Sequence, residues 1–183
     1  MPPETVYNID TSALIYLEKY YPRDHFELIW QNLEKAFEDK KVYITDNVWK
    51  EIQAYSDEEA PLVIWMKDKK DKIERKTKDV HTIKAAEIIR DNPEIVSDNI
   101  SVDSAIKENA DAYVIAHSFI EKTTIITGEK KYANLSTNPK KIHIRIPHVC
   151  EKYKVPCISL KPADQEAVIP LYLIQTLGLN KKI

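Results

Sequence analysis

Four carboxylates offer the chemistry in this chain: Asp10, Glu51, Asp111 and Glu129. Asp10 closes a short apolar run, Val6–Ile9, just before a helical pattern that Thr11 and Ser12 open. The carboxyl end of a buried strand, next to a helix start, is where open α/β sheets bind ligands. Glu129 repeats the arrangement after the strand-like Thr123–Thr127 and Gly128, whose backbone freedom suits a turn. Glu51 falls inside the stripe of Val48, Ile52 and Tyr55, where a buried charge needs a partner or a metal. Asp111 sits in the first turn of a helix whose Ala112, Ile115, Ala116 and Phe119 share one face. Each acid also has a plainer reading. Asp10 and Asp111 would serve helix N-termini, and Glu51 would be solvated on a rotated helix. Asp103 is a weaker alternative ligand.

Carboxylates converging on one sheet edge repel unless cations neutralise them. Hard oxygen ligands suit Mg²⁺ or Mn²⁺. Such ions activate water and stabilise a leaving oxygen in phosphodiester cleavage. Ser12 and Thr127 are placed to orient the acids by hydrogen bonds. Lys130, Lys131, Lys140 and Lys141, with Arg145, make the surroundings of Glu129 basic, and the four lysines are expected to contact substrate phosphates.

Composition removes other chemistries. The 183 residues carry a net charge of −2, so bulk positive charge does not hold nucleic acid here and a local patch must. Two glycines cannot build a GxGxxG turn or a P-loop, and neither HExxH nor GxSxG occurs. An aspartyl-phosphate enzyme of the haloacid-dehalogenase kind needs a second Asp where Ser12 stands. Cys150 and Cys157 read as small buried hydrophobes in a reducing cytoplasm. Residues 1–5 do not suit a signal peptide, and no apolar run is long enough to span a membrane.

The elements that must position the acids follow from periodicity. Helical spacing recurs after Asp10 and from Phe26 to Phe37. A strand is expected at Val42–Thr45, with Asp46 capping the next helix. Pro61 opens another helix, and Lys67–Asp79 reads as a solvated helical face or a phosphate-contacting rim. A helix follows at His81–Arg90, then a short one at Ser101–Lys107 and the Asp111 helix. Beyond Glu129 the expectation is a strand at Ile142–Ile146, a helix at Pro147–Tyr153 and a strand at Cys157–Leu160. The apolar run Ala167–Leu179 either packs as a final helix or binds a partner. Alternating strands and helices imply an α/β fold: a three-layer α/β/α sandwich around a mostly parallel sheet. The chain reads as a single domain, 1–183, with a helical insertion at about 56–99.

The stretches NIDTS, the helix bearing Glu51, DAYVIAHS and ITGEKKY, in that order, resemble a PIN-domain nuclease, in particular the VapC-like toxin ribonucleases. IRIPHVCEKYKVPCISL resembles an uncharacterised PIN-like subgroup. The resemblance implies a divalent-metal-dependent endoribonuclease in the cytoplasm, using Mg²⁺ or Mn²⁺. Asp10 and Asp111 would hold the principal ion, Glu129 would complete its ligation or hold a second, and Glu51 would act through water. It further implies the toxin half of a toxin–antitoxin pair, with RNA as substrate, a small antitoxin-like protein as partner and a possible homodimer. Glu129 departs from the family's usual Asp, and 56–99 is longer than a compact toxin needs. A catalytically silent PIN-like module that binds RNA or protein is the alternative.

Overall fold

The computed structural model describes residues 5–55, 57–96, 101, 103–104, 106, 109–129, 144–159 and 169–180. Its first half runs β1 (Tyr7–Ile9), α1 (Thr11–Tyr20), α2 (Glu27–Glu38), β2 (Val42–Thr45), α3 (Asp46–Tyr55), α4 (Pro61–Ile73) and β3 (Glu74–Arg75). Then come α5 (Asp79–Asp91), α6 (Ala110–Glu121), β4 (Thr124–Thr127), α7 (Ile146–Tyr153), β5 (Cys157–Ser159) and α8 (Ile169–Leu177). All five strands are parallel, in the order β3-β2-β1-β4-β5. Tyr7 pairs with Val42 on one side and Thr124 on the other, so β1 is the central strand.

Helices cover both faces, as a parallel sheet requires. On one face α5, α6 and α7 pack together, with α6 lying on β1, β2 and β4. On the other, α1 packs against α4 and α8, and α2 packs against α4 and α8. Helix α3 touches both α1 and α6. The result is the expected three-layer α/β/α sandwich. Trp30, Phe37 and Trp65 are fully buried between α2 and α4, with the two tryptophan rings edge to face at 5.0 Å. Such aromatic pairs add to the large apolar area they bury.

Several elements depart from expectation. The 56–99 stretch holds more than helices: beside α4 and α5, which contribute to the core, it supplies the edge strand β3. Strand β3 was hidden because it is two charged residues long. Glu74 is nonetheless shielded, its carboxylate ion-paired to Lys70 and Lys76, and Arg75 stacks on the Tyr43 ring at 3.8 Å. Asp46 does not cap α3; Thr45 Oγ1 accepts the Val48 N–H at 3.2 Å instead. The expected strand at Ile142–Ile146 is not there in its described part, since Ile146 begins α7. Of the expected Ser101–Lys107 helix, Asp103, Ser104 and Ile106 are helical and residues 102, 105 and 107 lie outside the described residues, as do Lys130, Lys131, Lys140 and Lys141. The apolar C-terminal run is answered from within the chain. Leu173, Ile174 and Leu179 are buried, α8 packs on α1 and α2, and Asn32 Nδ2 donates to the Leu179 carbonyl at 2.6 Å. Among the described residues no helix is long and apolar enough to cross a membrane.

Candidate functional site

The strand order reverses at β1. From it the chain steps outward through β2 and β3, then returns to its other side for β4 and β5. Ligands of open α/β sheets bind at the carboxyl edge of such a switch point. Asp10 follows β1 there, and Gly128 and Glu129 follow β4.

Asp10 occupies the N-cap position of α1, yet its side chain makes no capping bond. It is 2 % exposed, and its Oδ2 accepts hydroxyl bonds from Ser12 at 2.5 Å and Thr127 at 2.9 Å. Ser12 Oγ also accepts the Gly128 N–H at 2.9 Å. Ser12 and Thr127 therefore tie the two strand ends together around one carboxylate. Gly128 is required for space rather than for backbone freedom. A Cβ there would meet the Tyr16 ring at 2.8 Å and Ser12 Oγ at 3.1 Å, and its φ is not positive.

Glu51 is half-buried on α3 and accepts a hydrogen bond from the Thr11 hydroxyl. Its place on the inner side of α3 and its partner settle the rotated-helix alternative against solvation. Asp111 lies in the first turn of α6, but Asn109 caps that helix, its Oδ1 accepting the Ala112 N–H at 2.8 Å. Among the described residues the Asp111 carboxylate has no hydrogen-bond donor. Glu129 is the most firmly held of the four. Its Oε1 pairs with Arg145 Nη1 at 3.0 Å, and its Oε2 accepts the Ile146 N–H, the first of α7, at 2.8 Å.

The electrostatics show the four acids brought together. Burial pushes Asp111 well up, and the charges of Glu129, Asp10 and Glu51 push it the same way, against Arg145. Burial raises Asp10 against its two hydroxyl donors and the adjacent Ser12 and Thr11 N–H groups, and raises Glu51 with help from the Asp10 charge. Glu129 is pushed up to about 7 by burial and by Asp10, opposed by Ile146 N–H and Arg145. Carboxylates that are buried and crowded by like charge hold protons near neutrality or attract a cation.

A second polar cluster lies at the carboxyl ends of β2 and β3. Asp46 Oδ1 accepts from both the N–H and the hydroxyl of Thr77, and Lys50 stands 3.9 Å from its other oxygen. The Thr77 hydroxyl proton is committed to that side, so the 3.1 Å contact to His117 is an Nε2–H donating to Thr77. His117 stacks on His81 with ring centroids 3.8 Å apart, and burial together with His81 pulls it down to about 3. Both histidines lie within the packed α5–α6 interface.

Among the described residues no group of three or more His, Cys, Asp or Glu side chains is arranged to hold a metal ion on its own. Mg²⁺ is typically held by one or two carboxylates plus water and substrate phosphate rather than by a full protein cage, so Asp10 and Asp111 are of the donor type that such an ion takes. Sequence reasoning passed over two participants. Thr11 was seen only as a helix opener, and Arg145 only as part of a basic neighbourhood; its position just before the helix-starting Ile146–Pro147 was the available signal. Cys150 is buried beside Cys157 and both are free thiols, Cys150 being pushed up by its hydrogen bond with Cys157 and by burial.

Fold and site together define an α/β/α sandwich with an acidic centre at its switch point. The chain belongs to the family described as a domain of unknown function, DUF4411, which matches residues 7–163. No curated protein and no solved structure matches it.

Proposed function

We propose that this protein is a divalent-metal-dependent endoribonuclease. The observation that carries the reading is Asp111: a half-buried carboxylate that receives no donor among the described residues, raised by burial and by the charges of Glu129, Asp10 and Glu51. A chain gains nothing in stability from gathering like charges in low dielectric, and sites that do so are candidates for catalysis. Asp10 and Asp111 would hold Mg²⁺ or Mn²⁺, with Glu51 near enough to act through water. The ion, when bound, supplies an activated water and offsets charge on the phosphodiester. Ser12 and Thr127 fix the Asp10 carboxylate, and Thr11 fixes Glu51, so these ligands need little rearrangement on binding.

The PIN resemblance extends the proposal to the toxin half of a toxin–antitoxin pair, to a cytoplasmic setting, to a homodimer and to a small partner covering the acid cleft. The C-terminal apolar run no longer argues for that partner, because α1 and α2 cover it.

The engagement of both Glu129 oxygens favours one other reading, a module that binds RNA without cutting it. A single assay separates the two. Purified protein is mixed with a labelled RNA in Mg²⁺, in chelator, and in Mg²⁺ with the Asp111→Asn variant. Cleavage only in the first mixture supports the nuclease. Binding without cleavage in Mg²⁺ or Mn²⁺ supports the silent module.

A further inference from the structure

We infer that Glu129 serves not as a metal ligand but as a bracket, holding the Arg145 guanidinium at the acidic centre as the group that binds the RNA phosphate. This inference rests on the nuclease reading and assigns a role within the same site.

Glu129 is fixed along its whole length. Its N–H donates to Thr127 Oγ1 at 3.1 Å, its carbonyl accepts from the Ser159 hydroxyl, and both carboxylate oxygens are engaged. Each oxygen already takes one strong donor, a charged partner on Oε1 and a helix N–H on Oε2, so a metal would have to share the carboxylate with both or displace them. Arg145 is equally fixed at its backbone. It is the residue before α7, and its carbonyl accepts from His148 and Val149 at 3.0 and 3.3 Å. Its side chain remains 42 % exposed while its charge is felt at both Asp111 and Glu129.

A guanidinium is a planar fork of five donors, so a bond to Glu129 sets its plane without exhausting it. That geometry suits two oxygens of a phosphodiester. The site also needs a cation of its own. Asp10 and Asp111 neutralise one metal ion, and charge that develops on the phosphate is best met by a preorganised donor in a shielded place. The arrangement also explains a glutamate at this position. The longer side chain reaches both the α7 N–H and Arg145.

The test uses the full chain and three measurements: Mn²⁺ binding by calorimetry, binding of a labelled single-stranded oligoribonucleotide in Ca²⁺, and thermal melting. Asp111→Asn is expected to abolish Mn²⁺ binding. Glu129→Gln is expected to keep Mn²⁺ binding within about twofold while weakening RNA about tenfold. Arg145→Ala should weaken RNA about tenfold or more and flatten the salt dependence by about one unit of slope, with Mn²⁺ bound as well or better because a nearby cation is gone. Arg145→Lys should keep the slope but recover little affinity, since it keeps the charge and loses the fork. Glu129→Asp covers the case that Glu129→Gln melts early; it should behave like Glu129→Gln. If either Glu129 variant, folded, loses Mn²⁺ as Asp111→Asn does, Glu129 is a ligand and the bracket is wrong while the nuclease reading stands. An unchanged salt slope in Arg145→Ala also overturns the assignment. Failure of the parent to bind Mn²⁺ brings down both readings together.

Discussion

Two polar clusters share the carboxyl edge of this sheet and were built on opposite terms. Around β2 and β3 the chain satisfies its acid: Asp46 takes the Thr77 N–H and hydroxyl and stands near Lys50. Around β1 and β4 it does not. Asp10 receives two hydroxyls but lies beside three more carboxylates, and Asp111 receives no donor among the described residues. Both Asp46 and Asp10 directly follow a strand and adjoin a helix. Position alone therefore does not separate the two clusters; the balance of donors against like charge does.

The largest expected effect falls on Asp10→Asn. The change keeps shape and one acceptor but removes a proposed metal ligand. Cleavage should fall by orders of magnitude, because the ion that activates water is lost. Metal-free stability should hold or rise, since one of several repelling charges is gone. Full Mg²⁺-dependent cleavage by this variant, in an RNA assay beside thermal melts, would remove Asp10 from the mechanism and collapse the contrast between the clusters.

Ser12→Ala should come next. It deletes a donor to Asp10 and the acceptor of the Gly128 N–H. Losing such an orienting group typically costs about 10–100-fold in metal affinity or activity. Titration of Mn²⁺ against the variant reads this directly. Thr77→Ala, the matching deletion in the other cluster, should leave metal binding unchanged.

Asp46→Ala sharpens the comparison from the other side. Removing the acceptor strands the Thr77 N–H and leaves its hydroxyl to Asn47 Oδ1, at a cost of about 1–3 kcal/mol in stability. Denaturant melts should show that loss, while cleavage of the folded fraction stays within about twofold. A Mg²⁺-dependent activity that vanishes with Asp46 would mean that the second cluster is catalytic.

The sheet was legible because apolar runs flanked by helical periods leave few arrangements; Val42–Thr45 and the strand before Gly128 were found on that basis. Strand β3 was not, because Glu74–Arg75 is too short for period two to register and its charges are masked only in three dimensions, by Lys70, Lys76 and the Tyr43 ring. The acids at strand ends were legible as positions. Their proximity needed the fold, and so did the partners that decide their roles. No spacing rule connects Asp10 to Thr127, or Glu129 to Ile146. The apolar C-terminal run misled for a related reason: an unpaired apolar face in a sequence looks the same whether α1 or a foreign chain will cover it.

The smallest expected effect is also the most specific, a pH dependence of stability without metal. Glu129 is raised from 4.5 to about 7 in the folded chain, and Asp111 is raised well above its ordinary value. Between the unfolded and folded values the native state binds more protons than the unfolded state. Stability therefore falls as pH rises through that window and is fully present below it. Asp111→Asn removes one charge from the repelling set. At low pH Asp111 is protonated and carries no charge for the helix dipole or its neighbours to act on, so the variant should melt close to the parent there. As pH rises toward about 7 the parent loses stability that the variant keeps, because one pKa unit corresponds to about 1.4 kcal/mol. The variant should go from level with the parent to more stable than it, by roughly 2–4 °C in Tm for each kcal/mol gained. Adding Mg²⁺ should reverse the order, since only the parent binds the ion and is stabilised by it. Asp46→Asn, in the satisfied cluster, should melt below the parent with and without Mg²⁺. Melting curves of the three proteins across the window, in chelator and in Mg²⁺, read all of this. Parallel curves for the parent and Asp111→Asn would show that the acids at the switch point do not act on one another.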